Sequence, residues 1–353
     1  MKAIRINAPG EVEICEVEKP VRKSGEALLK VLYGGICGSD LGSYRGTFAY
    51  FEYPRIPGHE FSAEIVEIED NDRGLKPGMV VTCNPYFNCT TCSSCKRKIV
   101  NACMNNQTMG CQRDGAFCEY ITMPIERIYD GKGLSPKVLS AIEPFCISYH
   151  GVQRAGINKG DKVLVIGAGT IGVLAAVAAQ SLGGEVYISD VQEPKLVYAQ
   201  KKFGFSGTIL NDSQENFEKA VSEITGTYEA NGTVQANGFD VCIEAVGLPS
   251  TFQNSIDAAA YGGKVVLIGV GKKNLDFNFT LLQKKELNVF GSRNALKEDF
   301  IELIDWVKDG KADLEKIITN VYSFDDAAKA FKDFDTSGGN MLKVIIDFTT
   351  LNK

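Results

Sequence analysis

Residues 163–190, VLVIGAGTIGVLAAVAAQSLGGEVYISD, decide the fold of this 353-residue chain. Four apolar residues, 163–166, suffice for a buried strand. Glycines follow at 167, 169 and 172, then an Ala- and Val-rich run of helical length, then a second strand at 186–188 closed by Asp190. Strand, glycine turn, helix, strand and acid in that order make a dinucleotide-binding βαβ unit. Gly167 allows the sharp turn out of the strand, Gly169 lets the backbone approach a pyrophosphate, and Gly172 lets the helix pack closely on the sheet. The helix N-terminus, at Thr170 and Ile171, offers free N–H groups and the positive end of its dipole to the phosphates. The rival reading of 163–179, a transmembrane helix, falls short of the ~18–20 residues needed and starts with three glycines. A carboxylate at Asp190 accepts both ribose hydroxyls and repels a 2′-phosphate, and no Arg follows it directly, so NAD is expected over NADP.

The length suggests two or three domains with an ample buried core. Lys and Arg number 38 against 44 Asp and Glu, a net charge of −6, which argues against a nucleic-acid or anionic-membrane surface. Residues 1–5 carry no charged-then-apolar leader, and a cytoplasmic protein is expected. The 11 cysteines are clustered in spacing and point to metal before disulfides. His59 and His150 are the two histidines, so histidine chemistry has few candidates.

Ahead of the βαβ unit, alternating runs at 2–6, 11–17 and 27–33 predict strands of a β-rich domain. In GGICGSD, residues 34–40, Cys37 sits in a glycine-lined turn, and Pro57-Gly58-His59-Glu60 follows about twenty residues later. A Cys, a His and a Glu on separate turns can converge on one zinc, and three protein ligands with an open fourth position suit catalysis. The bland alternative is a buried thiol and a satisfied histidine. Further strands are expected at 66–69 and 79–82, with a turn at Pro77-Gly78. Cys89, Cys92, Cys95 and Cys103 then stand at the spacing of a closed, tetrahedral, all-cysteine zinc site. Their polar neighbours cannot build an apolar core, so a structural metal is needed to fix the lobe; a redox CxxC is the rival. Cys15, Cys83, Cys111, Cys118 and Cys242 are expected to be core thiols. In IEPFCISYH, residues 142–150, Glu143 is expensive to bury without a partner, and zinc, directly or through water, would be one. Cys146 competes for that role, while His150 reads as a packed interdomain histidine.

After Asp190 the pattern predicts a helix at 194–203 and strands at 240–244 and 263–269 with glycine exits, as in a parallel sheet whose carboxyl ends face one crevice. Lys195, Val246, Ile268 and Gly269 complete the expected cofactor contacts. Residues 211–238 are polar and contain a surface loop; 291–294 form another loop, which carries Arg293. Helices are expected at 297–308 and 324–334 and a strand at 342–348, in a tail that returns to the first domain.

GGICGSD, PGHE, the four-cysteine lobe, IEP, and VLVIGAGTIG followed by Asp190 together resemble the zinc-dependent medium-chain dehydrogenase/reductase family over nearly the whole chain. The resemblance implies an α/β protein. A GroES-like β-rich catalytic domain (1–145, with the structural zinc lobe at 84–110) is interrupted by a Rossmann NAD-binding domain with a doubly wound parallel sheet (146–288), and 289–353 returns to the first. It implies zinc at two sites per subunit: Cys37, His59, Glu60 and Glu143 around a catalytic ion, and the four lobe cysteines around a structural one. Which glutamate ligates directly stays open. Glu143 resembles the polyol and threonine dehydrogenase branch, and EYPRIPGHE, IEPFCISYH and GSRNALKEDF resemble bacterial sugar-acid dehydrogenases of the L-galactonate 5-dehydrogenase type. A homodimer or homotetramer is implied by the resemblance alone.

One departure stands out. Many relatives carry, at the position of Gly42, a histidine that passes a proton to solvent; Ser39 remains as a first relay. Ser43 stands where sorbitol dehydrogenases have a substrate-side tyrosine. The implied reaction is the reversible oxidation of a secondary alcohol on a small-molecule polyol or sugar acid, with roles for Ser39, Glu60 and Glu143, and with Arg293 facing a substrate hydroxyl or carboxylate. The rivals are a threonine or small-diol dehydrogenase with the same zinc and cofactor, and a non-enzymatic NAD- and zinc-binding redox sensor that needs no open zinc position.

Overall fold

Glu26–Ile36 is the central strand of the first of two units in the computed structural model, which describes residues 1–351 except 231 and 272. This unit comprises Met1–Cys146 and the chain from Asn294 onward. Its main sheet runs Ile318–Ser323, Lys343–Asp347, Glu26–Ile36, Glu60–Glu67, Val80–Cys83, Ile128–Asp130, with Tyr120–Pro124 also paired to the central strand. All three partners of the central strand are antiparallel to it, and at its C-terminal end Gly35 stands opposite Glu60 on one side and Ile345 on the other. The C-terminal end of the central strand, at Cys37, therefore meets the N-terminal ends of both neighbours, at His59-Glu60 and at Lys343. Phe117 anchors the core behind them, its ring 6.0 Å from Phe348 and 6.4 Å from Phe331. Burying each such ring contributes about 1.5–3 kcal/mol.

In this unit two stretches differ from what the sequence leads one to expect. The strand expected at 66–69 is Glu60–Glu67, displaced toward the site. Phe61, Ala63 and Ile65 on one face enter the core, while Glu60 and Ser62 are fully buried on the other, so both faces of the strand are covered at its start. GGICGSD is also not one glycine turn. Gly34 and Gly35 finish the strand, and Gly38–Tyr44 is a short helix capped by Cys37, whose N–H donates to the Asp40 carboxylate.

The second unit, Ile147–Arg293, is a six-stranded parallel sheet in the order Gly207–Leu210, Glu185–Asp190, Lys162–Ile166, Phe239–Glu244, Ala259–Leu267, Asn288–Gly291. Chain order reverses beside Lys162–Ile166, which makes its carboxyl end the topological switch point. Thr170–Ser181 follows that strand and is buried continuously from Gly172 to Ala179, so the helix is apolar all round. A β-carbon at Gly172 would lie 1.7 Å from the Gly167 carbonyl oxygen, and Gly167 itself has φ +106°, so both positions demand glycine. The polar stretch 211–238 contains more structure than a loop: a helix, Gln214–Thr225, and a hairpin of Thr227–Ala230 with Thr233–Ala236. Phe217, Ala220, Val221 and Ile224 stand at i, i+3, i+4 and i+7 on that helix and pack on the core, an amphipathic stripe that marks the helix within the otherwise polar stretch. No helix among the described residues is long and apolar enough to cross a membrane.

Candidate metal centre and dinucleotide cleft

Among the described residues, Cys37, His59 and Glu60 place their ligand atoms within 4.8 Å of one another. One carboxylate aligns the first two. Buried Asp40 accepts the Cys37 N–H at 2.9 Å and the Gly58 N–H at 3.4 Å, tying the turn of Cys37 to the turn of His59. The third depends on a missing side chain, since a β-carbon at Gly35 would lie 2.4 Å from Glu60 Oε2. That same oxygen is 2.5 Å from Lys343 Nζ, which also donates to the Ile36 carbonyl at 3.3 Å, all of it buried. His59 Nδ1 and Glu60 Oε1 are buried without a hydrogen-bond partner. Leaving such atoms unpaired costs about 1–3 kcal/mol each. A thiol, an imidazole and a carboxylate that converge with two donor atoms unused are a fitting set for zinc.

The electrostatics follow from burial. Burial pushes the Cys37 thiol up, and the Glu60 charge adds to it. Burial pulls the His59 imidazole down, but Cys37 and Asp40 outweigh it and leave the imidazole well above its ordinary range. Burial likewise pulls the Lys343 ammonium down, and Glu60 and Cys37 reverse the sign.

Glu143, in the first turn of Ile142–Ala155, is not a member of the 4.8 Å group. Its Oε1 accepts the hydroxyl of buried Tyr86. Burial pushes its carboxyl up to about 7, with His59 pulling the other way. Cys146 is buried, its thiol raised by burial, and it too lies outside the group. Ser39 is half-buried in the first turn of Gly38–Tyr44. Arg293 is exposed at the last position of the second unit.

Cys89, Cys92, Cys95 and Cys103 form a second group within 4.8 Å. Cys103 Sγ accepts the Cys89 N–H at 3.2 Å, and Cys89 Sγ accepts the Cys92 N–H at 3.4 Å and the Thr91 hydroxyl at 3.6 Å. These donors, Thr91 first, pull the Cys89 thiol down to about 5. Burial and the neighbouring thiols Cys92 and Cys103 push Cys95 the other way, up to about 11. Four sulfurs this close, with N–H and hydroxyl donors on Cys89, fit a closed tetrahedral zinc site. All 11 cysteines are free of disulfides. Cys83, Cys111, Cys118 and Cys242 are buried as core thiols, but Cys15 is only half-buried. It lies on Glu11–Glu16, which among the described residues pairs only with Lys2–Ala8 and is largely open to solvent.

In the second unit a cleft of about 400 Å³ opens at the switch point, lined by Gly167, Asp190, Lys195, Val246 and Thr251 among others. Asp190 accepts the Ala168 N–H at 2.8 Å and the Gln192 N–H at 2.9 Å, and Lys195 Nζ lies 3.8 Å from it. A β-carbon at Gly169 would meet nothing within 4 Å, so the backbone ahead of Thr170 and Ile171 faces open space, as a pyrophosphate cradle must. Ile268 and Gly269 donate their N–H groups to the Glu244 carbonyl, at 2.8 and 3.1 Å. The buried Glu244 carboxylate accepts from Val246 N at 2.8 Å, Gly247 N at 2.7 Å and the Thr251 hydroxyl at 2.7 Å, shaping the strand exit on which Val246 sits.

Asp40, Tyr86, Glu244 and Lys343 carry site structure that the sequence reading does not assign. Lys343, a lone cation inside the apolar strand MLKVIIDF, is signalled by the same burial cost that singles out Glu143. Asp40 is signalled by its place three residues after a helix cap. Tyr86 carries no such signal.

Comparison with known proteins agrees with this architecture. Residues 23–132 match the alcohol dehydrogenase GroES-like domain, and residues 170–309 match the zinc-binding dehydrogenase domain. The chain is 32% identical over 348 residues to L-galactonate-5-dehydrogenase of Escherichia coli K12, covering 99% of both. It is 30% identical over 353 residues to sorbitol dehydrogenase of Halalkalibacterium halodurans, covering 98% of this chain and 99% of that one. An Escherichia coli CFT073 alcohol dehydrogenase solved in complex with NADH superposes with a TM-score of 0.88 at 29% identity, covering 99% of both chains. With likeness at this level running from end to end, the chain belongs to the zinc-dependent medium-chain dehydrogenase/reductases and is a zinc-type alcohol dehydrogenase.

Proposed function

We propose that this dehydrogenase oxidises a secondary alcohol of a sugar acid or polyol, of the L-galactonate kind, with NAD as acceptor. The Cys37–His59–Glu60 group, with its two unused buried donor atoms, carries the reading. The identity to L-galactonate-5-dehydrogenase supports the substrate class. When bound, zinc supplies Lewis acidity toward the alcohol oxygen and the nicotinamide supplies the hydride acceptor.

The chain's own residues do the rest. Cys37 and His59 hold the metal, and Glu60 and Glu143 are the two carboxylates that complete its surroundings. Lys343 offsets the charge of Glu60. Ser39 takes the hydroxyl proton in the absence of a histidine at Gly42. The turn Gly167, Gly169, Gly172, with the N–H groups of Thr170 and Ile171, receives the pyrophosphate. Asp190 with Lys195 holds the adenosine ribose, and the Asp190 charge discriminates against a 2′-phosphate. Val246, Ile268 and Gly269 complete the cofactor's contacts, and Arg293 receives the carboxylate of a sugar acid.

The test is NADH formation by zinc-replete protein across aldonates, polyols, threonine and small diols. Preference for an aldonate is the expected result. Preference for threonine or a small diol overturns the substrate assignment, and faster turnover with NADP overturns the cofactor assignment.

A further inference from the structure

Tyr86 joins the two cysteine-bearing sites of the first unit. Its hydroxyl donates to Glu143 Oε1, and its backbone belongs to the base of the four-cysteine lobe. Tyr86–Phe87 is separated from Cys89 by one residue, and its partner strand Gln107–Thr108 follows Cys103. The lobe is thus the loop of a hairpin whose paired base carries the tyrosine. That base is held closely. Asn84 Oδ1 accepts the Tyr86 N–H at 2.9 Å, and the Pro85 carbonyl accepts the Met109 N–H at 3.1 Å. The Arg127 guanidinium donates to the Tyr86 carbonyl and, at 2.9 Å, to Asn88 Oδ1, and lies 4.7 Å over the Phe87 ring. Arg113 lies over the same ring at 3.8 Å. The ring of Tyr86 is buried, so its hydroxyl goes where the hairpin base puts it.

We propose that Tyr86 is a positioning residue, which orients the Glu143 carboxylate toward the metal held by Cys37 and His59 and makes that orientation depend on the order of the four-cysteine lobe. One Glu143 oxygen is committed to the phenol, which leaves the other for the metal or its water. A lobe that has lost its metal loosens the Tyr86–Thr108 pairing and releases the carboxylate. This rests on the reading above that Glu143 serves that metal. The lobe then acts on the catalytic centre through a defined hydrogen bond and not only through general stability.

The test uses the full-length protein with zinc in the lobe and cobalt(II) at the Cys37 site, without substrate. Cobalt binding by the parent protein tests the underlying reading separately: failure to bind at Cys37 sinks that reading whatever Tyr86 does. Tyr86→Phe removes only the hydroxyl. It is expected to keep the lobe zinc, to weaken cobalt binding at the Cys37 site by about 10–100-fold, and to shift the visible d–d bands. Unchanged affinity with unchanged bands overturns the proposal. Arg127→Gln leaves both Tyr86 and Glu143 in place and loosens only the hairpin base. It is expected to shift the same bands in the same direction, and an unshifted spectrum there overturns the dependence on the lobe. The Arg127 variant also decides the matter if Tyr86→Phe does not fold.

Discussion

Lys343 Nζ lies 2.5 Å from Glu60 Oε2, across the end of the strand that leads into Cys37, in a pair that is buried on both sides. The other oxygen of Glu60 has no hydrogen-bond partner. The pair therefore leaves a half-used carboxylate beside the thiol and imidazole of the metal group.

Replacing Lys343 by Met strands that carboxylate. Removing one partner of a buried pair costs about 3–5 kcal/mol. Metal-free Lys343→Met should melt well below the parent, and added zinc should recover part of the loss by standing in for the ammonium. A second change, Glu60→Gln, should recover part of it without metal. Thermal unfolding with and without zinc checks this, and an unchanged melting temperature in the metal-free variant contradicts it.

Glu143 gives the metal-free protein a pH dependence. Its carboxyl titrates near 7 when folded, against an ordinary value of 4.5, so the folded state binds more protons between those values. Its contribution to stability is full below the unfolded value and is lost as pH rises through about 7. Metal-free Glu143→Gln should therefore exceed the parent in stability above neutral pH by on the order of 1–3 kcal/mol. The advantage should shrink as pH falls toward the ordinary carboxylate range. Urea titrations at several pH values measure it, and an advantage that grows in acid contradicts the sign.

The glycines of the cofactor turn should separate folding from binding. A β-carbon at Gly172 collides with backbone, whereas one at Gly169 enters open space. Gly172→Ala should destabilise the protein by on the order of 1–3 kcal/mol or more, as overpacking against backbone does. Gly169→Ala should cost under about 1 kcal/mol of stability and weaken NADH binding at least tenfold. Calorimetric melting together with NADH fluorescence titration distinguishes the two effects. Equal effects of both substitutions on melting would contradict the cradle.

The difference between what was and was not legible in sequence is one of range. Gly167, Gly169, Gly172 and Asp190 were readable because the βαβ unit is local: each residue's task is set by neighbours within one strand–turn–helix. The four cysteines of the lobe were readable for the same reason. Cys37, His59 and Glu60 stand at the meeting ends of two strands, and in sequence only their residue types and the family resemblance link them. Lys343 stands 283 residues from Glu60, and strand register alone makes them neighbours. Tyr86 reaches Glu143 across 57 residues by a side-chain contact that no periodicity encodes. The strand Glu60–Glu67 alternates polar and apolar from Glu60 to Ile65, so its start is legible in sequence; what is not legible is that Glu60 and Ser62, on the polar face, are buried as well.

Cys95→Ser opens the lobe. Zinc content should fall by one equivalent, and limited proteolysis should cut between Cys89 and Cys103. NADH binding should persist, because the cleft residues belong to the second unit. Full zinc content in this variant contradicts a four-thiolate site.

The most direct measurement is zinc content and NADH formation in Cys37→Ser beside the parent. Expected are one zinc fewer per chain, no turnover with any alcohol on the panel, and NADH binding within about twofold of the parent, since the change removes one ligand of a three-ligand site and leaves the glycine turn untouched. A Cys37→Ser protein that keeps its full zinc content and oxidises substrate at the parent rate contradicts the assignment of this centre.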